Sequence, residues 1–175
     1  DSITNYFFTT STYANENLKR SGIGEDRVFF VGNTMIDTLL NEMEQLTPPD
    51  CFDQLNLQPK QYLVLTLHRP ANVDAESKLA DTLKAIMQHA GSLPVVFPVH
   101  PRTAKQLEHI HTAWDHLHCV EPLPYLQFNY LVKHAKAVIT DSGGITEETT
   151  VMGIPCMSLR DSTERPETVD VGTNE

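Results

Sequence analysis

The segment Asp141-Ser142-Gly143-Gly144-Ile145-Thr146-Glu147-Glu148 has the residue types of an anion cradle. Two adjacent glycines let a ligand approach the main chain closely. The helix that should follow offers unpaired N–H groups and the positive end of its dipole. Ser142 can add a hydroxyl or cap that helix. A diphosphate is the natural occupant. Glu148 lies one helical turn beyond Gly144 on the same face, where a carboxylate can accept ribose hydroxyls. The same residues also describe a plain capped helix after a tight turn, so the motif has to be weighed with its neighbours.

Those neighbours are cationic. His68 directly follows the apolar run Tyr62 to Leu67 and precedes Arg69. A histidine so placed can neutralise a phosphate or protonate a leaving group, because its charge changes near neutral pH. His100 has the same setting in Pro98-Val99-His100-Pro101-Arg102. Arg165, in Thr163-Glu164-Arg165-Pro166-Glu167, carries a planar fork suited to bidentate phosphate contact. Its competing reading is an ion pair with Glu164 or Glu167. His109, His111, His116 and His118 cluster closely enough to raise a metal site. Two histidines one residue apart on a helix splay away from each other, however, and no carboxylate or cysteine spacing supports them. No metal and no cofactor is expected.

The elements that must position these groups alternate. Strands are predicted at Arg27–Val31, Tyr62–Leu67, Val95–Phe97, Cys119–Val120, Ala137–Thr140 and Ile154–Leu159, from short runs of apolar residues. Between them, apolar residues recur at helical spacing: Met35 to Met43, Ser77 to Ala90, Thr103 to His111, Tyr125 to His134 and Gly144 to Met152. Such alternation gives an α/β, Rossmann-like parallel sheet with helices on both faces. His68, His100, Asp141–Gly144 and Arg160–Glu167 then all follow strand ends. In an open parallel sheet that is the rim where ligands bind. Tyr6-Phe7-Phe8 reads as a further strand and Ser11 to Arg20 as a helix. Residues 1–25 are therefore expected to belong to a neighbouring domain or linker, and residues 26–175 to one domain.

With 175 residues, 40% of them hydrophobic and 21% charged, the chain has the composition of an ordinary globular domain. No apolar run is long enough to span a bilayer, and Asp1 to Asn5 has no basic stretch leading into an apolar one, so neither membrane span nor signal peptide is expected. A formal charge of −10 repels a phosphate backbone and argues against nucleic acid as partner. Cys51, Cys119 and Cys156 are odd in number and far apart, which reads as reduced thiols in a cytoplasmic protein. The ends read as cuts from a longer chain.

Five motifs, in order along the chain, resemble the non-hydrolysing UDP-N-acetylglucosamine 2-epimerases. They are Val31-Gly32-Asn33-Thr34-Met35-Ile36-Asp37, Thr66-Leu67-His68-Arg69, Pro98-Val99-His100, the Asp141–Glu148 segment and Arg160–Glu167. The resemblance covers essentially the whole chain. It implies the C-terminal domain of a two-domain GT-B fold, preceded by the end of the N-terminal domain. It implies interconversion of UDP-GlcNAc and UDP-ManNAc, by elimination of UDP to 2-acetamidoglucal and re-addition. By the same resemblance Ser142, Gly143, Gly144 and Arg165 hold the diphosphate, Glu148 binds the ribose and His68 faces the leaving phosphate as a catalytic residue. The base and acid carboxylates come from the other domain. Residues matching Arg69 and His100 touch a second UDP-GlcNAc in activated members. Those members have Arg-Glu after the arginine and Leu-Asn after the histidine, where this chain has Pro70-Ala71 and Pro101-Arg102. Members are commonly homodimers. A GT-B glycosyltransferase and a non-catalytic sugar-nucleotide sensor are the alternatives.

Overall fold

The computed structural model describes residues 3–107, 110 and 114–175. The chain forms two compact units, Asp1–Asn41 and Glu42–Glu175.

In the first unit, β1 (Phe7–Thr9) leads through α1 (Thr12–Arg20) to β2 (Val28–Phe30), which pairs parallel to β1 with Phe7 opposite Val28. Ser11 starts α1 as the sequence suggests, its Oγ accepting from the Ala14 N–H. Phe7 and Thr9 are buried while Phe8 between them is exposed, as the pleat requires. The strand expected at Arg27–Val31 thus partners Phe7–Thr9 within this unit, whereas the sequence boundary after residue 25 separated the two. The helix α2 (Thr34–Glu42) follows.

The second unit opens with the short helix α3 (Asp50–Gln54). Its sheet contains β3 (Leu63–Thr66), β4 (Val95–Pro98), β5 (Leu117–Val120), β6 (Ala137–Thr140) and β7 (Cys156–Ser158), all parallel, in the order β5-β4-β3-β6-β7. The α/β, Rossmann-like parallel sheet expected from the sequence is the architecture found. Central strands alternate between two cores. Leu65, Val95, Phe97 and Ile139 face one way and pack with Leu79, Leu83, Ile86 and Met87 of α5 (Glu76–Ala90). Val64, Val96 and Val138 face the other way and pack with Leu131 and Val132 of α7 (Tyr125–His134). Residues two apart share a face of the sheet, and residues three or four apart share a face of a helix. Burying each of these larger side chains is worth about 1.5–3 kcal/mol. Tyr62, fully buried, donates its hydroxyl to the Leu131 carbonyl at 2.6 Å.

Element ends differ slightly from expectation. The helix α6 (Pro101–Leu107) begins before Thr103, because the His100 carbonyl accepts from the Thr103 and Ala104 N–H groups. The expected continuation to His111 lies outside the described residues, as do His109 and His111 themselves. The last residues lie along β7: Cys156 N–H donates to the Thr173 carbonyl and Glu175 N–H to the Cys156 carbonyl.

The order of the strands locates a site. The chain runs outward from β3 through β4 to β5, then crosses back to place β6 and β7 on the other side of β3. The reversal opens a crevice at the carboxyl ends of β3 and β6, where open α/β sheets bind ligands. His68 and Arg69 follow β3, and Asp141 to Gly144 follow β6.

Candidate functional site

Asp141 is the centre of this crevice. Its side chain is fully buried and takes four donors from the chain after β3. The His68 N–H reaches Oδ1 and Oδ2 at 3.2 and 3.1 Å, and the Arg69 N–H reaches Oδ2 at 2.9 Å. Asn72 Nδ2, in the short helix α4 (Pro70–Val73), reaches Oδ2 at 3.0 Å and also donates to the Leu159 carbonyl beyond β7 at 3.2 Å. The fourth contact is His68 Nδ1 to Oδ1 at 2.8 Å. An acceptor-only carboxylate places the imidazole proton on Nδ1 and leaves Nε2 as the ring nitrogen available to a ligand. The His68 side chain is half exposed, so that nitrogen is accessible.

Beside Asp141 the helix α8 (Gly143–Met152) starts. Ser142 occupies the N-cap position, but its side chain makes no capping bond, so its hydroxyl is not spent on the helix. Its N–H instead donates to Thr140 Oγ1 at 3.0 Å, and that hydroxyl lies 2.6 Å from Thr66 Oγ1, tying the ends of β6 and β3 together. The first N–H groups of α8 have no intrahelical acceptor, by the geometry of any helix start. A Cβ on Gly143 would stand 3.0 Å from Arg160 Nη1, so any side chain there would press on that guanidinium.

Glu147 and Glu148 are both buried in α8. Arg165 Nε meets Glu147 Oε1 at 3.0 Å, so a residue of α8, which the sequence did not suggest, is a partner of Arg165. Glu148 Oε1 accepts from the Tyr125 hydroxyl at 3.0 Å. Burial raises the Glu148 carboxyl above the usual carboxylate range, while the Tyr125 hydroxyl pulls the other way. Tyr125 itself is pushed up to about 12, chiefly by burial and then by the Glu148 charge. Glu164 is exposed and bridges two arginines: 2.8 Å to Arg160 Nη2 and 3.8 Å to Arg69 Nη2. The Arg160 hydrogen bond and charge hold the Glu164 carboxyl below the ordinary range. His100 follows β4 on the same rim and is exposed.

The family model for UDP-N-acetylglucosamine 2-epimerase matches residues 1–175. The chain belongs to that family. It is 38% identical to a UDP-N-acetylglucosamine 2-epimerase of Methanocaldococcus jannaschii, the alignment covering 99% of this chain and 50% of the relative. A crystal structure of the UDP-GlcNAc 2-epimerase of that organism, in complex with UDP-GlcNAc and UDP, superposes with a TM-score of 0.87 at 37% identity, over 99% of this chain and 50% of the other. The UDP-GlcNAc 2-epimerase of Neisseria meningitidis bound to UDP-GlcNAc gives a TM-score of 0.84 at 30% identity, over 99% and 49%. This family member therefore spans about half the length of the relatives it matches.

Within this family member the sequence reading and the geometry overlap in part. His68 and Arg69 lie at the crevice with Ser142 and Gly143, and Arg165 and Glu148 join through α8. Sequence reasoning missed Asp141 as an organiser, and with it Asn72, Glu147, Tyr125 and Arg160. The signal for Asp141 was available: a carboxylate directly before a Ser-Gly-Gly turn at a strand end has main-chain N–H groups of the adjacent strand within reach. The sequence placed Arg160 after a strand end on the rim, but not its burial against α8, which depends on the fold of the loop. Among the described residues, no three His, Cys, Asp or Glu side chains group as metal ligands. No helix among them is long and apolar enough to cross a membrane.

Proposed function

We propose that this chain is the UDP-binding half of a UDP-GlcNAc 2-epimerase, a cytoplasmic enzyme that works as a homodimer at full length. The unit Glu42–Glu175 is its C-terminal Rossmann-like domain, and the earlier residues close the N-terminal domain of a GT-B arrangement and lead across. The observation that carries the reading is the His68–Asp141 contact at 2.8 Å beside the open start of α8.

The chemistry asks for three things. A base must remove the C2 proton of the sugar, the C1–O bond must break to release UDP and 2-acetamidoglucal, and both must stay together until re-addition inverts C2. Proton transfer at C2 belongs to carboxylates of the other domain. Residues on this chain serve the departure and retention of UDP. Charge builds on the diphosphate as it leaves, and preorganised donors are the effective means of stabilising it. Ser142 Oγ, the Gly143 and Gly144 N–H groups and the Arg165 guanidinium supply those donors. His68, oriented by Asp141, presents Nε2 to the leaving phosphate. Glu148 takes the ribose hydroxyls. Arg69 and His100 lie on the rim for further contact with substrate or with a second UDP-GlcNAc.

Full-length protein incubated with UDP-GlcNAc in D₂O tests the reaction, with deuterium at C2 expected in both UDP-sugars. Transfer of the sugar to an acceptor, with no label at C2, would instead favour a glycosyltransferase. The 175-residue chain is expected to bind UDP and to turn over no UDP-GlcNAc. Turnover by it would overturn the division of labour between the halves.

A further inference from the structure

Arg160 has no role in the account above, and its surroundings ask for one. Its side chain is 5% exposed and rests on the start of α8, with Nη1 at 3.0 Å from where a Gly143 Cβ would stand. Nη2 is held by Glu164 at 2.8 Å, but Nε and Nη1 are buried and have no hydrogen-bond partner among the described residues. A guanidinium has five donors and no acceptor, and leaving buried donors unpaired is costly. Its partner among the described residues is an exposed carboxylate, shared with Arg69. A small pocket of about 160 Å³ opens beside it, lined by Arg69, Asn72, Lys78, Arg160, Asp161 and Ser162. Three cations thus line this cleft, and one of them, Arg160, also rests on a helix start whose N–H groups lack intrahelical acceptors.

We propose that Arg160 is a second diphosphate-binding arginine, which exchanges Glu164 for ligand oxygen when the nucleotide enters. The inference rests on the reading of the α8 start as a diphosphate site. Glu164 is then a stand-in anion: it pairs with Arg160 and Arg69 and gives them up to the phosphate. Arg165, held by Glu147 on the other side of the loop, grips the same group independently.

The test is titration of the 175-residue chain with UDP and with uridine by ligand-observed NMR, for the parent, Arg160→Gln, Arg160→Lys and Glu164→Gln. Arg160→Gln should weaken UDP about tenfold or more, the loss expected for charge-assisted contacts, with uridine affinity unchanged. Arg160→Lys should recover only part of it, since the fork geometry is lost. Glu164→Gln should tighten UDP, because a competing charge is removed. Equal weakening of UDP and uridine by Arg160→Gln would make Arg160 a structural strut and overturn the proposal. So would weaker UDP binding in Glu164→Gln. If the parent binds no UDP at all, the diphosphate reading of the site falls, and this inference with it; parent binding with no effect of Arg160→Gln sinks the inference alone.

Discussion

Asp141→Ala is the substitution through which the organisation of the crevice can be measured. The carboxylate is fully buried and receives the His68 and Arg69 N–H groups, Asn72 Nδ2 and His68 Nδ1. Alanine removes every acceptor at once. The half-exposed His68 ring can turn to water, which leaves two main-chain N–H groups and one of the two Asn72 amide hydrogens without an acceptor, the other still reaching the Leu159 carbonyl. Each orphaned donor costs about 1–3 kcal/mol, so the loss is about 3–5 kcal/mol if each falls towards the low end. That is a large part of the roughly 5–15 kcal/mol by which domains are stable. For a chain of this size it lowers Tm by about 10–15 °C. Asp141→Asn keeps the shape and one oxygen but turns an amide NH₂ towards the donors, and should lose about half as much. The assay is thermal unfolding followed by circular dichroism, run as a double-mutant cycle with Asn72→Ala. Because Asn72 donates to Asp141 at 3.0 Å, the two substitutions should fall short of additivity by about 1 kcal/mol. A melting temperature for Asp141→Ala within about 3 °C of the parent, or strict additivity in the cycle, would refute the view that this carboxylate ties the β3 and β6 loops together.

Two further outcomes follow from the same site and its supports. Burial raises the Glu148 carboxyl, so the folded state holds that proton more tightly than the unfolded chain does. The resulting cost is absent below the ordinary carboxylate pKa and complete above the raised one. Glu148→Gln should therefore raise Tm near neutral pH and have little effect near pH 4, while weakening UDP binding; equal shifts in melts at both pH values would contradict it. Gly172→Ala would put a Cβ at 2.3 Å from the Thr168 carbonyl oxygen and 2.8 Å from Thr150 Oγ1. Overpacking against main chain should cost about 1–3 kcal/mol, measured by denaturant unfolding, and an unchanged midpoint would show that the segment after α9 (Glu167–Asp170) can yield.

The parts of the fold that were legible in the sequence are those where a periodicity repeats. The runs at Leu63–Thr66, Val95–Pro98 and Ala137–Thr140 are apolar at successive positions because both faces of each strand are covered, and α5 shows its buried face as Leu79, Leu83, Ile86 and Met87. The four-residue helices Pro70–Val73 and Glu167–Asp170 were not legible, since one turn has too few residues to show a period. At the site, residues on short turns next to strand ends could be placed without the structure: His68, Arg69, Ser142 and Gly143 each lie within a few residues of a strand. Partnerships across the sheet could not. Asp141 and Asn72 are separated by the whole of α5, β4, β5 and α7, and only the order of the strands brings them to 3.0 Å.

That order also resolves how a chain of charge −10 can present cations to an anion. The acidic excess does not stop at the rim of the crevice. Asp141 holds His68, Glu147 holds Arg165, and Glu164 holds both Arg160 and Arg69. On the proposed reading, a nucleotide diphosphate meets a site where His68, Arg69, Arg160 and Arg165 each have a carboxylate partner, and it must compete for them. Exchange of one anion for another releases less electrostatic energy than capture by bare cations, and it depends on matching several donors at fixed positions. The fixed positions come from buried features: the carboxylate of Asp141, the start of α8 and the guanidinium resting on Gly143. Glu164 is the exposed carboxylate of this set. Selectivity in such a crevice comes from geometry and not from the long-range field, which is why net charge describes the surface of this chain and says little about its ligand.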